Sequence, residues 1–185
     1  MRDPDRVSQL ALAVEAVPID AAPAEARTLL DEHEARDTTP ASYIASLDQL
    51  RRGAEHEARH AWWAARSPGF TIASVVLRDD SSGCCTVVGS GKGYATELDR
   101  IIFALVGPAA DLVIRASYDI VIARIKIDAL NAREIGPHIS YQRAAELAVN
   151  FTDEHSQSIR NVALALYDAR ELDHFAVDLF GRCGQ

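Results

Sequence analysis

The residues His56-Glu57-Ala58-Arg59-His60 set two imidazoles four positions apart, with a carboxylate directly after the first. On a helix, positions i and i+4 lie one above the other on the same face, so both rings can offer a nitrogen to one ion. Zinc accepts neutral imidazole readily, and a catalytic zinc site needs one further protein ligand and a water. The ion brings the pKa of that water towards neutrality. A carboxylate beside it, here Glu57, then acts as general base and passes the proton to a leaving amine. The chemistry this pattern implies is hydrolysis of an amide bond. A competing reading is a solvated helix face, on which Glu55, Glu57, Arg59 and Arg66 form ion pairs four residues apart.

The surrounding chain must supply a helix for the motif. Thr38-Thr39-Pro40 breaks an earlier pattern, and Ser42 or a neighbour can cap a segment carrying Ile44, Leu47 and Leu50 that runs into the histidines. The apolar continuation Ala61-Trp62-Trp63-Ala64-Ala65 suits a buried metal helix, with both tryptophans packed in the core. Ser67-Pro68-Gly69 ends it. Two β-branched runs follow, 71–77 and 84–88, with the turn-rich tract Asp79-Asp80-Ser81-Ser82-Gly83 between them, which predicts a hairpin. The loop from Gly89 to Gly93 is not a P-loop, because the phosphate-cradling pattern fails at Thr86 and at Gly93.

Downstream, the pattern predicts helix from Glu97 to near Arg133, with a kink at Gly107-Pro108 and a boundary around Ser117. After a break at Gly136-Pro137, helices are expected from about 140 to 168 and from 171 to 180. His155 and His174 lie on polar stretches of these and are expected to face solvent. Upstream, a helix over 5–17 carries Val7, Leu10, Leu12 and Val14, and a second runs from Pro23 towards Glu34. The order of helices, a small sheet, then a C-terminal helical bundle indicates an α+β, mostly helical fold. We divide the chain into a helical extension over 1–40 and a main domain over 41–185.

Composition excludes several classes. The formal net charge of −8 works against a nucleic-acid partner, which would require clustered Lys and Arg. The longest nearly apolar run, Ile101 to Ile114, is interrupted by Gly107-Pro108 and Asp111 and is too short to span a bilayer. No apolar signal region follows the charged N-terminus. The three cysteines, Cys84, Cys85 and Cys183, form no disulfide framework, so a reducing, cytoplasmic setting is expected.

The string Ala54-Glu55-His56-Glu57-Ala58-Arg59-His60-Ala61 resembles the H-E-A-G-H-A signature of the FtsH-like (M41) zinc metallopeptidase domain. The stretch from Leu98 to Asp111, with Gly107-Pro108-Ala109-Ala110-Asp111, looks like that family's G-G/P-x-A-A-E helix. Tyr141 to Ala148 resembles the helix that begins with the family's third zinc ligand, an aspartate. The similarity spans about residues 50 to 180. It implies a zincin-like peptidase domain with bound zinc and a polypeptide substrate or protein partner, here without the family's ATPase. It also gives Asp111 as a residue that orients a metal-bound histidine.

Two positions depart from the pattern. Arg59 stands where the family has a small glycine, and Ser140, a good helix N-cap, stands where the ligand aspartate is expected. The third ligand is therefore open between His138, in the loop before Ser140, and Asp119, in an A-S-x-D echo of the family, with no third protein ligand as a further alternative. Two functions compete: a stand-alone zinc-dependent peptidase, and a catalytically degenerate relative serving as a binding or regulatory module. A third, an all-helical protein with an accidental motif, predicts no metal site and no hairpin between 71 and 88.

Overall fold

A computed structural model describes residues 4–15, 47–90, 95–113, 128–129, 131–133, 135 and 140–183. The helix expected from Pro23 to Glu34, the boundary near Ser117 and the break at Gly136-Pro137 lie outside these residues. Among the described residues the chain is mostly helical, with one small antiparallel sheet. The coarse α+β reading holds.

Helix α1 (Pro4–Glu15) buries Leu10, Ala11 and Val14, a one-face spacing, and leaves Leu12 on the outside. Helix α2 (Leu47–Arg66) carries the histidine motif and stops where Ser67 and Pro68 predict. Strands β1 (Phe70–Leu77) and β2 (Gly83–Gly89) form the expected hairpin, with an irregularity between Ile72 and Ser74. The turn closes through Asp80, whose carboxylate accepts from the Ser82 N–H at 2.8 Å, and through a left-handed Ser81.

Helix α3 (Glu97–Val106) starts with a capping box. The Thr96 hydroxyl accepts from the Asp99 N–H at 3.1 Å, and the Asp99 carboxylate accepts from the Thr96 N–H at 2.9 Å. It ends at Gly107 because Pro108 has no N–H to continue it. A 3-10 turn, Pro108–Val113, follows, so the expected kink is a helix end.

The C-terminal half corrects four expectations. The helix expected over 140–168 is two helices, α4 (Tyr141–Glu154) and α5 (Ser156–Ala169), divided at His155 with φ −107° and ψ 17°. His155 does not face solvent. Its half-buried ring stacks on Phe151 at 4.5 Å and meets Trp62 edge-on at 6.2 Å. Glu171 and Leu172, expected to start the last helix, form instead a short strand, β3, against Val76 and Val75. The chain turns into it through Arg170 in the left-handed region (φ 67°). Asp173 then caps helix α6 (His174–Arg182), accepting from the Ala176 N–H at 2.8 Å. His174, expected in solvent, is half-buried with Nδ1 3.5 Å from the Ile72 N–H.

The sheet order is β2-β1-β3. One apolar cluster joins α1, α3 and α4, centred on Leu10, Ile101, Leu105 and Val149. A second lies between α2, the sheet, α5 and α6, centred on Trp62, Val75, Val162 and Leu166. Trp62 is buried and Trp63 half-buried, as their place in the motif helix predicts. Phe151 touches both clusters. The motif helix runs between them, so its polar residues must be matched inside the protein. Among the described residues no helix is long and apolar enough to cross a membrane.

Candidate metal centre

Residues 56 to 62 of α2 are all buried, because α3, α5, α6, β1 and β2 pack around that helix. The solvated-face reading of Glu57 and Arg59 is thereby excluded. The two are 8% and 4% exposed.

His60 is fixed from behind. Its Nδ1 lies 2.7 Å from the carbonyl oxygen of Phe103 near the end of α3. A carbonyl can only accept, so the proton sits on Nδ1 and the lone pair of Nε2 points away from it. Burial pulls the His60 pKa below its ordinary value, and this outweighs the opposing pull of Asp128. The ring is therefore neutral near pH 7, as a metal ligand must be.

His60 Nε2 lies 3.2 Å from His56 Nε2. Asp128 brings its Oδ2 to 3.2 Å from His56 Nε2 and 3.9 Å from His60 Nε2. That oxygen is buried and accepts no hydrogen bond among the described residues. Two ligand atoms each about 2.0–2.1 Å from a tetrahedral ion stand roughly 3.3 Å apart. The three edges of this triangle match that separation closely enough for one ion to reach all three atoms. Two imidazoles with a carboxylate suit zinc and also other divalent first-row metals. The donor set therefore fits a metal ion without choosing its identity.

The backbone keeps this space clear. A Cβ on Gly107 would fall 2.2 Å from His60 Nε2 and 2.7 Å from His56 Nε2. Only glycine lets the end of α3 come this close to the paired nitrogens. The Gly107 carbonyl, at the C-cap of α3, accepts from Arg59 Nη1 at 2.5 Å. Arg59, whose bulk departs from the family pattern, is thus directed at α3. Its second contact is with Glu55, at 3.7 Å.

Glu57 packs against the start of β2, where a Cβ on Gly83 would fall 2.9 Å from Oε1. Among the described residues no hydrogen bond or ion pair engages its carboxylate. Nearby, burial and then the charge of Glu57 push the Cys85 thiol well above its ordinary range, so that cysteine is no nucleophile. Cys84, Cys85 and Cys183 are all free thiols. A cavity of about 210 Å³ opens beside the ligand atoms, lined by His60, Phe103, Ala104, Asp128, Asn131 and Ile135.

The pairing of His56 with His60 was readable from their spacing, and Asp128 was not foreseen. Its only signal is a lone acid within Ile125-Lys126-Ile127-Asp128-Ala129-Leu130, a feature that other acids share. His138 and Asp119, the two third ligands considered, lie outside the described residues, as does the side chain of Asp111. Ser140 is the N-cap residue of α4 and its carbonyl accepts from Arg143 and Ala144, yet its hydroxyl makes no capping bond. Compared with known proteins, the chain matches no family model, no curated protein and no solved structure.

Proposed function

We propose that this protein is a zinc-dependent peptidase with a zincin-like domain of the FtsH type, acting on polypeptide substrates in the cytoplasm. The observation that carries the reading is the triangle of His56 Nε2, His60 Nε2 and Asp128 Oδ2, with Glu57 buried beside the first histidine. A structural ion would not call for that extra carboxylate, whereas amide hydrolysis does. Zinc, when bound, supplies Lewis acidity and brings the pKa of a coordinated water near neutrality.

The chain's own residues divide the remaining work. His56, His60 and Asp128 hold the ion, and the Phe103 carbonyl keeps the second imidazole in its ligating tautomer. Glu57 accepts a proton from the attacking water as its oxygen bonds to the amide carbon. It then returns that proton to the amine nitrogen as the C–N bond breaks. The cavity beside His60, with Phe103, Ala104 and Ile135 in its walls, receives part of the substrate chain and shields the reacting groups from bulk water.

The deciding experiment measures the metal content of purified protein and its cleavage of an unfolded polypeptide. Near-stoichiometric zinc with chelator-sensitive cleavage supports the proposal. Stoichiometric zinc without cleavage of any unfolded substrate leaves a metal-binding module, and no zinc after reconstitution ends the metal reading.

A further inference from the structure

Arg59 is the one charged side chain of the motif helix that is almost wholly buried while contributing no ligand atom and no proton. Removing a charge from water is costly, so a buried guanidinium must be held by specific partners. One of its partners here is a backbone oxygen, and the Glu55 carboxylate, at 3.7 Å, is another. Arg59 Nη1 donates at 2.5 Å to the carbonyl of Gly107, at the C-terminal end of α3. That end carries the negative pole of the helix dipole, which favours a guanidinium. Gly107 is also the residue at which an added Cβ would collide with the Nε2 atoms of His56 and His60. Four residues before it, the Phe103 carbonyl accepts a hydrogen bond from the Nδ1–H of His60.

We infer that Arg59 is a positioning residue for the metal centre: by capping α3 it sets how closely the Phe103–Gly107 segment approaches the two histidine ligands. The inference rests on the metal-binding reading above and extends it to a residue that is not a ligand. One arginine on α2 thus ties the helix that carries the ligands to the helix that orients them. Releasing that tie lets α3 draw back. His60 then loses its fixed tautomer and the ligand triangle loosens, although all three ligands remain in the sequence. Partners of this kind around a metal site are worth about 10–100-fold in metal affinity.

The test uses the full chain loaded with cobalt(II), whose visible spectrum reports coordination geometry independently of activity. Wild type is compared with Arg59→Met, which keeps bulk and removes the donor, and with Arg59→Lys, which keeps charge and one donor. Arg59→Leu, which also lacks a donor, replaces the Met variant if that does not fold, as judged by far-ultraviolet circular dichroism. The expected result is an intense, tetrahedral-type spectrum in wild type. In the neutral variant the spectrum is weakened and shifted and affinity falls about 10–100-fold, while lysine restores most of both. A neutral variant with the wild-type spectrum and affinity overturns the positioning role and leaves the metal site standing. A lysine variant as impaired as the neutral one also overturns it, since shape and not the carbonyl contact would then matter. Failure of the wild type itself to bind cobalt removes both readings together.

Discussion

Asp128 Oδ2 stands 3.2 Å from His56 Nε2, although the two residues come from separate parts of the chain, and that oxygen accepts no hydrogen bond among the described residues. A buried carboxylate oxygen left in this state is costly unless a cation or proton completes it. Asp128→Ala is therefore expected to reduce zinc affinity by at least about 100-fold, beyond the range typical of residues that only support ligands. Asp119→Ala and His138→Ala are expected to retain wild-type affinity. Competition with a chromophoric chelator measures all three, and retention by the Asp128 variant would remove it from the ligand set.

Glu57→Gln keeps shape and burial but cannot take a proton. Zinc content should remain at the wild-type level while cleavage of an unfolded substrate falls about 100- to 10,000-fold. Metal analysis and a rate assay on the same sample separate the two effects. Joint loss of metal and activity would make Glu57 part of the ligand framework instead.

Gly107→Ala tests the close approach of α3. The Gly107 backbone is right-handed, with φ −55° and ψ −62°, so alanine suits it, and helix propensity alone would favour the change by up to about 1 kcal/mol. The added methyl would nevertheless fall 2.2 Å from His60 Nε2. The variant should be less stable by about 1–3 kcal/mol in the metal-free state and should bind zinc at least about 10-fold more weakly. Urea denaturation and metal titration check the two parts.

His155 predicts an acid sensitivity separate from the metal site. Burial first, and then the nearby Arg66, lower its pKa from the ordinary 6.5, while Glu154 pulls the other way. The unfolded chain therefore takes up the proton before the folded one does. The stability this residue contributes is complete above about pH 6.5 and is lost as pH falls through the lowered folded value. In the presence of chelator, the urea midpoint of wild type should fall between about pH 7 and about pH 5 more steeply than that of His155→Gln. Parallel profiles would show that His155 titrates alike in both states.

Local chemistry explains which features were legible in advance. The four-residue spacing of His56 and His60, the stop at Ser67-Pro68-Gly69 and the turn between β1 and β2 each rest on a few adjacent residues, and each was readable. Asp128 was not, because its partnership with the histidines is tertiary and no neighbour marks it. Strand β3 has two residues, too few to show a period, and its entry uses a left-handed arginine where glycine or asparagine is the usual signal. The division at His155 contains neither glycine nor proline, and the ring contacts with Phe151 and Trp62 accompany it. Gly107-Pro108 was readable as an interruption, expected as a kink and found to be a helix end, but the closeness of Gly107 to the imidazoles was not. Arg59 was readable only as a bulky departure in the motif, because its acceptor is a distant backbone oxygen.

The last strand and helix have a consequence for synthesis. β3 completes the sheet beside Val75 and Val76, and Gly181 of α6 lies against the indole of Trp62, two residues beyond His60. A chain emerging from the ribosome presents the histidine motif long before residues 171–182 exist to cover that helix. During translation the nascent motif helix therefore lacks part of its finished packing until the far end of this fold has docked.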